Sequence, residues 1–304
     1  MANTYIVIAA SILFCIGLIG NSITVCFVAV SKRLHTPTYV LIGCLAVSDV
    51  LASVTRYVQI FYESLFYEYY HLYIYEIFTF LFINSAFFHM VLVSYVRFVF
   101  IANPLHSLNL TCKRILWMSF AIWISSVVVS IGYGAFKVLD LMNIISFETA
   151  VLAEIGFGLY VSGIPFIIVI IFNVRKLYYL YNQTASVRRT RIANSMSLMF
   201  WIIIVIYLLS TIYPLFYVID YAVLKERSLL NRRLDFVQNM FSFSLLVNSC
   251  LNPLIYFMFS PPVLRLLSRL RKCCNHGKEP HISNPRSCPQ VESHGKPFFL
   301  YNLM

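Results

Sequence analysis

Long apolar runs separated by short polar segments set the pattern of this chain. A helix needs about 20 apolar residues to cross hydrocarbon, because every backbone N–H and C=O must find its partner within the segment. Seven runs reach that length, at 5–31, 38–64, 73–100, 112–137, 150–177, 192–220 and 235–259. They predict an all-α membrane protein, a seven-transmembrane helix bundle. The first run exceeds the roughly 7–15 residues of a signal-peptide core and reads as a span. No internal repeat or soluble domain interrupts the series.

The short connecting segments give an orientation, since positive charge marks the cytoplasmic side. Lys32, Arg33, Lys113, Arg114, Arg175, Lys176, Arg188, Arg189, Arg191, Arg265, Arg269, Arg271 and Lys272 all fall on one side. Glu63, Glu68, Glu76, Asp140 and Glu148 fall on the other, although Lys225, Arg227, Arg232 and Arg233 there run against the rule. The amino terminus is expected outside and the carboxyl terminus in the cytoplasm.

Beyond the receptor-like core at 1–259, Ser260, Pro261 and Pro262 can start a further helix, because proline is tolerated in a first turn. Val263, Leu266, Leu267 and Leu270 then form an apolar stripe beside the basic Arg265, Arg269 and Lys272. That pattern suits a short amphipathic eighth helix at 260–274, lying on the anionic inner leaflet. Cys273 and Cys274 at its end are candidates for palmitoylation, with free thiols as the alternative. The Pro-, Ser- and Asn-rich tail, 275–304, has nothing to bury and is expected to be disordered.

Composition narrows the class further. Of the 304 residues 60% are hydrophobic and 12% charged, against about a quarter charged in soluble domains. The net charge of +11 is spread over loop clusters, so it reads as membrane topology and not as a nucleic-acid surface. The cysteines lie in apolar runs (Cys15, Cys26, Cys44, Cys250) or in segments placed in the cytoplasm (Cys112, Cys273, Cys274, Cys288), leaving none for an outer disulfide. No HExxH, GxSxG or phosphate-loop pattern supports an enzyme, and no cofactor is called for.

Several motifs then occur in order: Gly20-Asn21 in the first run, Leu45-Ala46-Val47-Ser48-Asp49 in the second, Trp123 in the fourth, and Asn248-Ser249-Cys250-Leu251-Asn252-Pro253-Leu254-Ile255-Tyr256 in the seventh. Pro165 and Pro214 sit in the fifth and sixth. This set resembles class A (rhodopsin-like) G protein-coupled receptors over about Gly20 to Cys274. The resemblance implies a plasma-membrane receptor that takes an extracellular small-molecule or lipid-like ligand and activates a heterotrimeric G protein. A transporter or channel would show repeats, interrupted helices or several intramembrane charges along a path. A receptor-shaped decoy or partner that does not couple is the nearer rival.

Each motif also has a physical reading. Asp49 is a carboxylate near the middle of a span and needs a polar interior. In the family it holds a sodium ion, for which Asn248, Ser249 and Asn252 can contribute, with Ala86 standing where a serine is usual. A purely structural hydrogen bond is the alternative. Pro165, Pro214 and Pro253 each remove a backbone hydrogen bond and create a hinge, and with Asn21, Asp49, Asn252 and Tyr256 they form the implied activation switch. Arg97, in Tyr95-Val96-Arg97-Phe98, resembles the family's Asp-Arg-Tyr arginine and would contact the G protein alongside Arg188, Arg189 and Arg191. Snorkelling to inner headgroups is the plainer reading.

The departures are specific. Val96 replaces the acid that normally restrains this arginine, which predicts raised ligand-free activity. Thr211-Ile212-Tyr213-Pro214 lacks the toggle tryptophan, and Asn173 stands where a tyrosine is usual. Leu72 replaces the cysteine of the common outer disulfide, and the loop over 138–149 is short. Lipid- and melanocortin-type receptors also lack that bridge.

Thr79 replaces the aspartate of amine receptors, while Arg56 lies in the outer half of the second run. Arg56 either meets an acidic ligand or pairs internally with Glu63 or Glu154. Gln59, Phe216, Gln238 and Ser242 are further outer-cavity candidates, with Tyr57, Asn84 and Asn239. His35-Thr36-Pro37 and Asn103-Pro104-Leu105-His106 resemble odorant-type receptors, though such loops are widespread in class A. The acceptor patterns at Asn109 and Asn182 fall in cytoplasmic loops and are expected to stay unmodified.

Overall fold

The computed structural model describes residues 4–65, 72–182, 205 and 246–253. Its helices are α1 (Thr4–Val30), α2 (Pro37–Leu65), α3 (Leu72–Ala102), the one-turn α4 (Pro104–Ser107), α5 (Cys112–Leu141), α6 (Phe147–Gly158) and α7 (Ile164–Asn182). A 3-10 turn, Lys32–Leu34, joins α1 to α2, and a π-helical turn, Leu159–Gly163, joins α6 to α7. Residues 246–253 are helical as well. These residues lie within one compact unit, Met1–Leu254.

Five apolar segments are long enough to cross a membrane: Val7–Val30, Pro37–Phe61, Ile74–Ala102, Cys112–Leu141 and Glu148–Asn182. They correspond to the first five expected runs. Apart from helical residue 205, the run 192–220 lies outside the described residues. So do most of 235–259, the 260–274 helix and the tail.

The bundle is apolar outside and polar within. On α1, Ile8, Ile12, Ile16, Ile19 and Ile23 recur at helical spacing and are exposed, as a lipid-facing stripe should be. On α5, Trp117, Phe120, Ile124, Val128 and Ile131 do the same. Asn21, Ser48, Asp49, Arg56, Ser85, His89, Ser119 and Asn173 are buried instead. In lipid this is the favourable arrangement, since apolar side chains lose nothing outside and polar ones need partners within.

Helix α3 is central, packing on α2, α5 and α7, while α1 packs chiefly on α2. Ala52, Ile83, Phe87, Met90, Val161 and Val169 form the apolar core where α2, α3 and α7 meet.

Two local features depart from the sequence expectation. The connection expected over 138–149 narrows to residues 142–146, because α5 and α6 both run further than hydropathy suggests. Helix α5 ends with Asn143 at φ 54°, its N–H donating to Asp140 O (2.9 Å) and that of Ile144 to Leu139 O (3.0 Å). This paired closure satisfies the last carbonyls, and asparagine tolerates the left-handed backbone it requires. Ser146 starts α6, its Oγ accepting from Thr149 N at 3.3 Å. The second feature is the π turn just before Pro165. The proline has no N–H for the carbonyl one turn earlier and its ring crowds that carbonyl, so the helix widens to accommodate it.

Candidate functional site

At the centre of the bundle Asp49 is 1% exposed. Its Oδ2 accepts from Asn252 Nδ2 at 2.8 Å and its Oδ1 from Ser249 Oγ at 3.4 Å. Asn21 Nδ2 donates to Gly17 O (2.9 Å) and Ser249 O (3.0 Å). One polar cluster thus ties α1, α2 and the 246–253 helix together. Gly20 lets α1 approach closely: a Cβ there would lie 2.8 Å from Pro253 Cγ. Beside the carboxylate is a cavity of about 10 Å³, lined by Asp49, Ser53, Arg56, Asn248 and Ser249 and by Ala52, Ile83, Ala86, Phe87 and Leu246. That is room for one water-sized occupant. Among the described residues Ser53 Oγ and Asn248 Oδ1 are buried without a hydrogen-bond partner.

A second buried network links α2, α3 and α5. His89 is fully buried, with Nδ1 at 2.7 Å from Ser85 O and Nε2 at 2.7 Å from Ser119 Oγ. A ring nitrogen facing a carbonyl carries the proton, so Nε2 accepts from the serine hydroxyl. Ser85 Oγ also meets Ser48 Oγ at 3.0 Å. The hydroxyl next to Ala86 is therefore engaged with Ser48 and His89.

Towards the end of the bundle where α5 gives way to α6, Lys137 bonds to Glu154 and lies 3.4 Å from Glu76 Oε2. The side chains are 13%, 32% and 22% exposed respectively, so the triad is largely withdrawn from solvent. Lys137 Nζ also sits 5.4 Å from the Tyr133 ring centroid, within cation–π range. Below it Phe80 stacks on Tyr133 at 4.3 Å and Phe157 meets both edge-on. Three helices, α3, α5 and α6, are joined here by charge.

At the opposite end, Val96 is fully buried and Arg97 follows it on α3. Asn173 on α7 donates to Val169 O at 2.8 Å and to Ser94 Oγ at 3.4 Å. Lys176, 1% exposed, donates to Asn173 Oδ1.

The model of the seven-transmembrane receptor (rhodopsin) family matches residues 20–256. The chain belongs to that family. The search of curated proteins found no match. Members are multi-pass membrane receptors and not enzymes, working in general between extracellular ligands and G proteins.

On this rhodopsin-family frame, the structure brings Asn21, Asp49, Asn248, Ser249, Asn252 and Pro253 together, as the motifs suggest. Pro165 is buried at the π turn. Pro214, Tyr256, Arg188, Arg189, Arg191, Phe216, Gln238, Ser242, Cys273 and Cys274 lie outside the described residues.

Arg56 and Gln59 are both buried and meet each other, Nη1 to Oε1 at 3.0 Å. Glu154, one suggested partner of Arg56, is bound to Lys137 instead. Lys137 on the neighbouring helix lies nearer the end of its span, where it can reach both glutamates. Thr79 is 2% exposed with its hydroxyl unpartnered among the described residues. Tyr57 faces α1, its hydroxyl 3.1 Å from Ser11 Oγ and its ring stacked on Phe14 at 4.4 Å, so it belongs to helix packing.

Sequence reasoning missed His89, Lys137 and Lys176 as organising residues. A histidine and two lysines within apolar runs were the available signal. The five described cysteines, Cys15, Cys26, Cys44, Cys112 and Cys250, are free thiols.

Proposed function

We propose that this receptor has its amino terminus outside the plasma membrane, binds a small or lipid-like extracellular ligand between the outer halves of its helices, and activates a heterotrimeric G protein. Arg97 is the principal coupling residue, assisted by Arg188, Arg189 and Arg191. The observation carrying this reading is the buried Asp49 cluster, which joins α1 and α2 to the helix bearing Asn252 and Pro253. A polar centre at a proline-bearing helix can hold two arrangements of similar energy, as a ligand-operated switch requires.

The five-residue stretch 142–146 is too short to form a broad lid, which favours ligands entering from the outer leaflet or through an open mouth. Arg56 supplies a cation for an acidic ligand group, and Thr79 offers no carboxylate for an amine. A single sodium ion suits the donor set at the centre: the Asp49 carboxylate, Ser249 Oγ and the unpartnered Asn248 Oδ1. Ala86 leaves that set one oxygen short. A bound ion would neutralise Asp49, and these residues would hold it. Cys273 and Cys274 are the proposed acylation sites on the inner leaflet.

With no acid before Arg97, ligand-free signalling is raised. The test is activation of a panel of G protein α subunits in cells expressing wild type or Arg97→Ala at matched surface levels. Wild-type activation that disappears in the mutant is expected. Equal silence in both would refute raised basal coupling. It would favour a non-coupling receptor, a reading that Val96 and Asn173 also support.

A further inference from the structure

We infer that Ser53 supplies the oxygen that Ala86 does not, completing a monovalent-cation site whose ligands come from α2 and the 246–253 helix. This deepens the sodium reading of the Asp49 cavity and rests on it.

A hydroxyl inside a membrane helix has a ready partner in the carbonyl one turn earlier. Ser11, Thr24, Ser48, Thr55 and Ser162 each donate to that carbonyl, at 2.7–3.3 Å. Ser53 does not. It is 2% exposed, and its Oγ has no hydrogen-bond partner among the described residues. It lines the cavity that Asp49 lines. Four residues after Asp49 on α2, it shares the aspartate's helix face, and its Cα–Cβ bond tilts back towards the turn that carries the carboxylate. Across the cavity Asn248, 4% exposed, presents a second buried oxygen without a partner, Oδ1. Two orphaned oxygens from two helices thus border one carboxylate and a space of about 10 Å³.

The donor set selects the occupant. The Asp49 carboxylate, Ser53 Oγ, Asn248 Oδ1 and Ser249 Oγ are all oxygens, the atoms a hard cation takes. One carboxylate balances one positive charge, and Arg56 in the same cavity wall makes a divalent ion less favourable still. Helix α3 contributes Ile83, Ala86 and Phe87 to the lining, an apolar wall. Its nearest hydroxyl in sequence to Ala86, Ser85 Oγ, already meets Ser48 Oγ at 3.0 Å and His89 Nδ1 at 3.3 Å. The missing α3 oxygen is therefore replaced from α2. A cation held by this set ties α2 to the helix bearing Pro253 and leaves α3 out of the linkage.

The experiment measures the melting temperature of full-length, detergent-solubilised receptor as sodium chloride replaces potassium chloride at constant total salt. Wild type, Ser53→Ala and the double variant Ser53→Ala, Ala86→Ser are compared. Wild type should melt higher as sodium rises. The sodium concentration giving half of that rise should increase about tenfold in Ser53→Ala, the loss expected when one ligand to a charged group is removed. In potassium chloride alone Ser53→Ala should melt no lower than wild type, because an orphaned hydroxyl has no bond to lose. Adding Ala86→Ser returns an oxygen from α3 and should bring the half-point back towards the wild-type value.

A half-point that Ser53→Ala leaves unchanged overturns the assignment while keeping the sodium site. An equal fall of Ser53→Ala in both salts makes the hydroxyl structural and overturns it too. A wild type that melts alike in both salts leaves the cavity to water, and removes the sodium reading together with the role of Ser53.

Discussion

Replacing Lys137 by methionine is the sharpest perturbation of the end where α5 gives way to α6. It keeps the length of the side chain and removes the charge, leaving Glu76 and Glu154 facing one another across α3 and α6. At the observed 3.4 Å from Glu76, Coulomb's law with an effective dielectric of about 20 gives roughly 5 kcal/mol of gross attraction for that pair. Desolvation offsets much of it. Breaking a buried pair by deleting one partner costs about 3–5 kcal/mol, and the partial exposure of Glu154, 32%, places the expected loss near the lower end. At roughly 2–4 °C per kcal/mol for a chain of this order of size, Lys137→Met should lower the melting temperature of solubilised receptor by about 6 °C. The triple variant Glu76→Gln, Lys137→Met, Glu154→Gln has no uncompensated charge and should recover at least half of that loss. A single variant melting within about 1 °C of wild type, or a triple variant no better than the single, would refute the triad as a helix clamp.

Three further perturbations have defined outcomes. Gly20→Ala sets a methyl group 2.8 Å from Pro253 Cγ, and an overpacked contact of that kind costs about 1–3 kcal/mol; surface expression and melting temperature should both fall, and an unchanged protein would show that α1 can retreat freely. Ser119→Ala leaves the Nε2 atom of fully buried His89 without its 2.7 Å partner, which should cost about 1–3 kcal/mol, read in the same melting assay. Asp49→Asn removes the charge a sodium ion would neutralise; the wild type should gain thermal stability on replacing potassium chloride by sodium chloride, and the variant should not. A wild type indifferent to the exchange would remove the sodium site.

The first five spans and the polar centre were readable in the sequence, for the same physical reason. Hydrocarbon forces polar groups inward, so Asn21 and Asp49 within apolar runs already point to the interior where they are found. The ends were harder. The apolar run that places α5 stops at about residue 137, yet the helix continues to Leu141, because Lys137 is neutralised by partners on other helices and does not mark an exit to water. The same pairing explains why Arg56 does not meet Glu154: both helices had to be placed before the nearer cation was evident. The π turn before Pro165 was foreshadowed by the proline, but its position upstream depends on how the helix distributes the distortion.

Both ends of the bundle depart from the family pattern. At one end, the third helix begins at Leu72 where the family usually has a cysteine, yet Lys137 links α3, α5 and α6 through two carboxylates. The tie has moved from a loop into the helices. At the other end, Val96 stands where the family usually has an acid, and Lys176 on α7 bonds to Asn173. Between them the Asp49 cluster keeps α1, α2 and the proline-bearing helix in register.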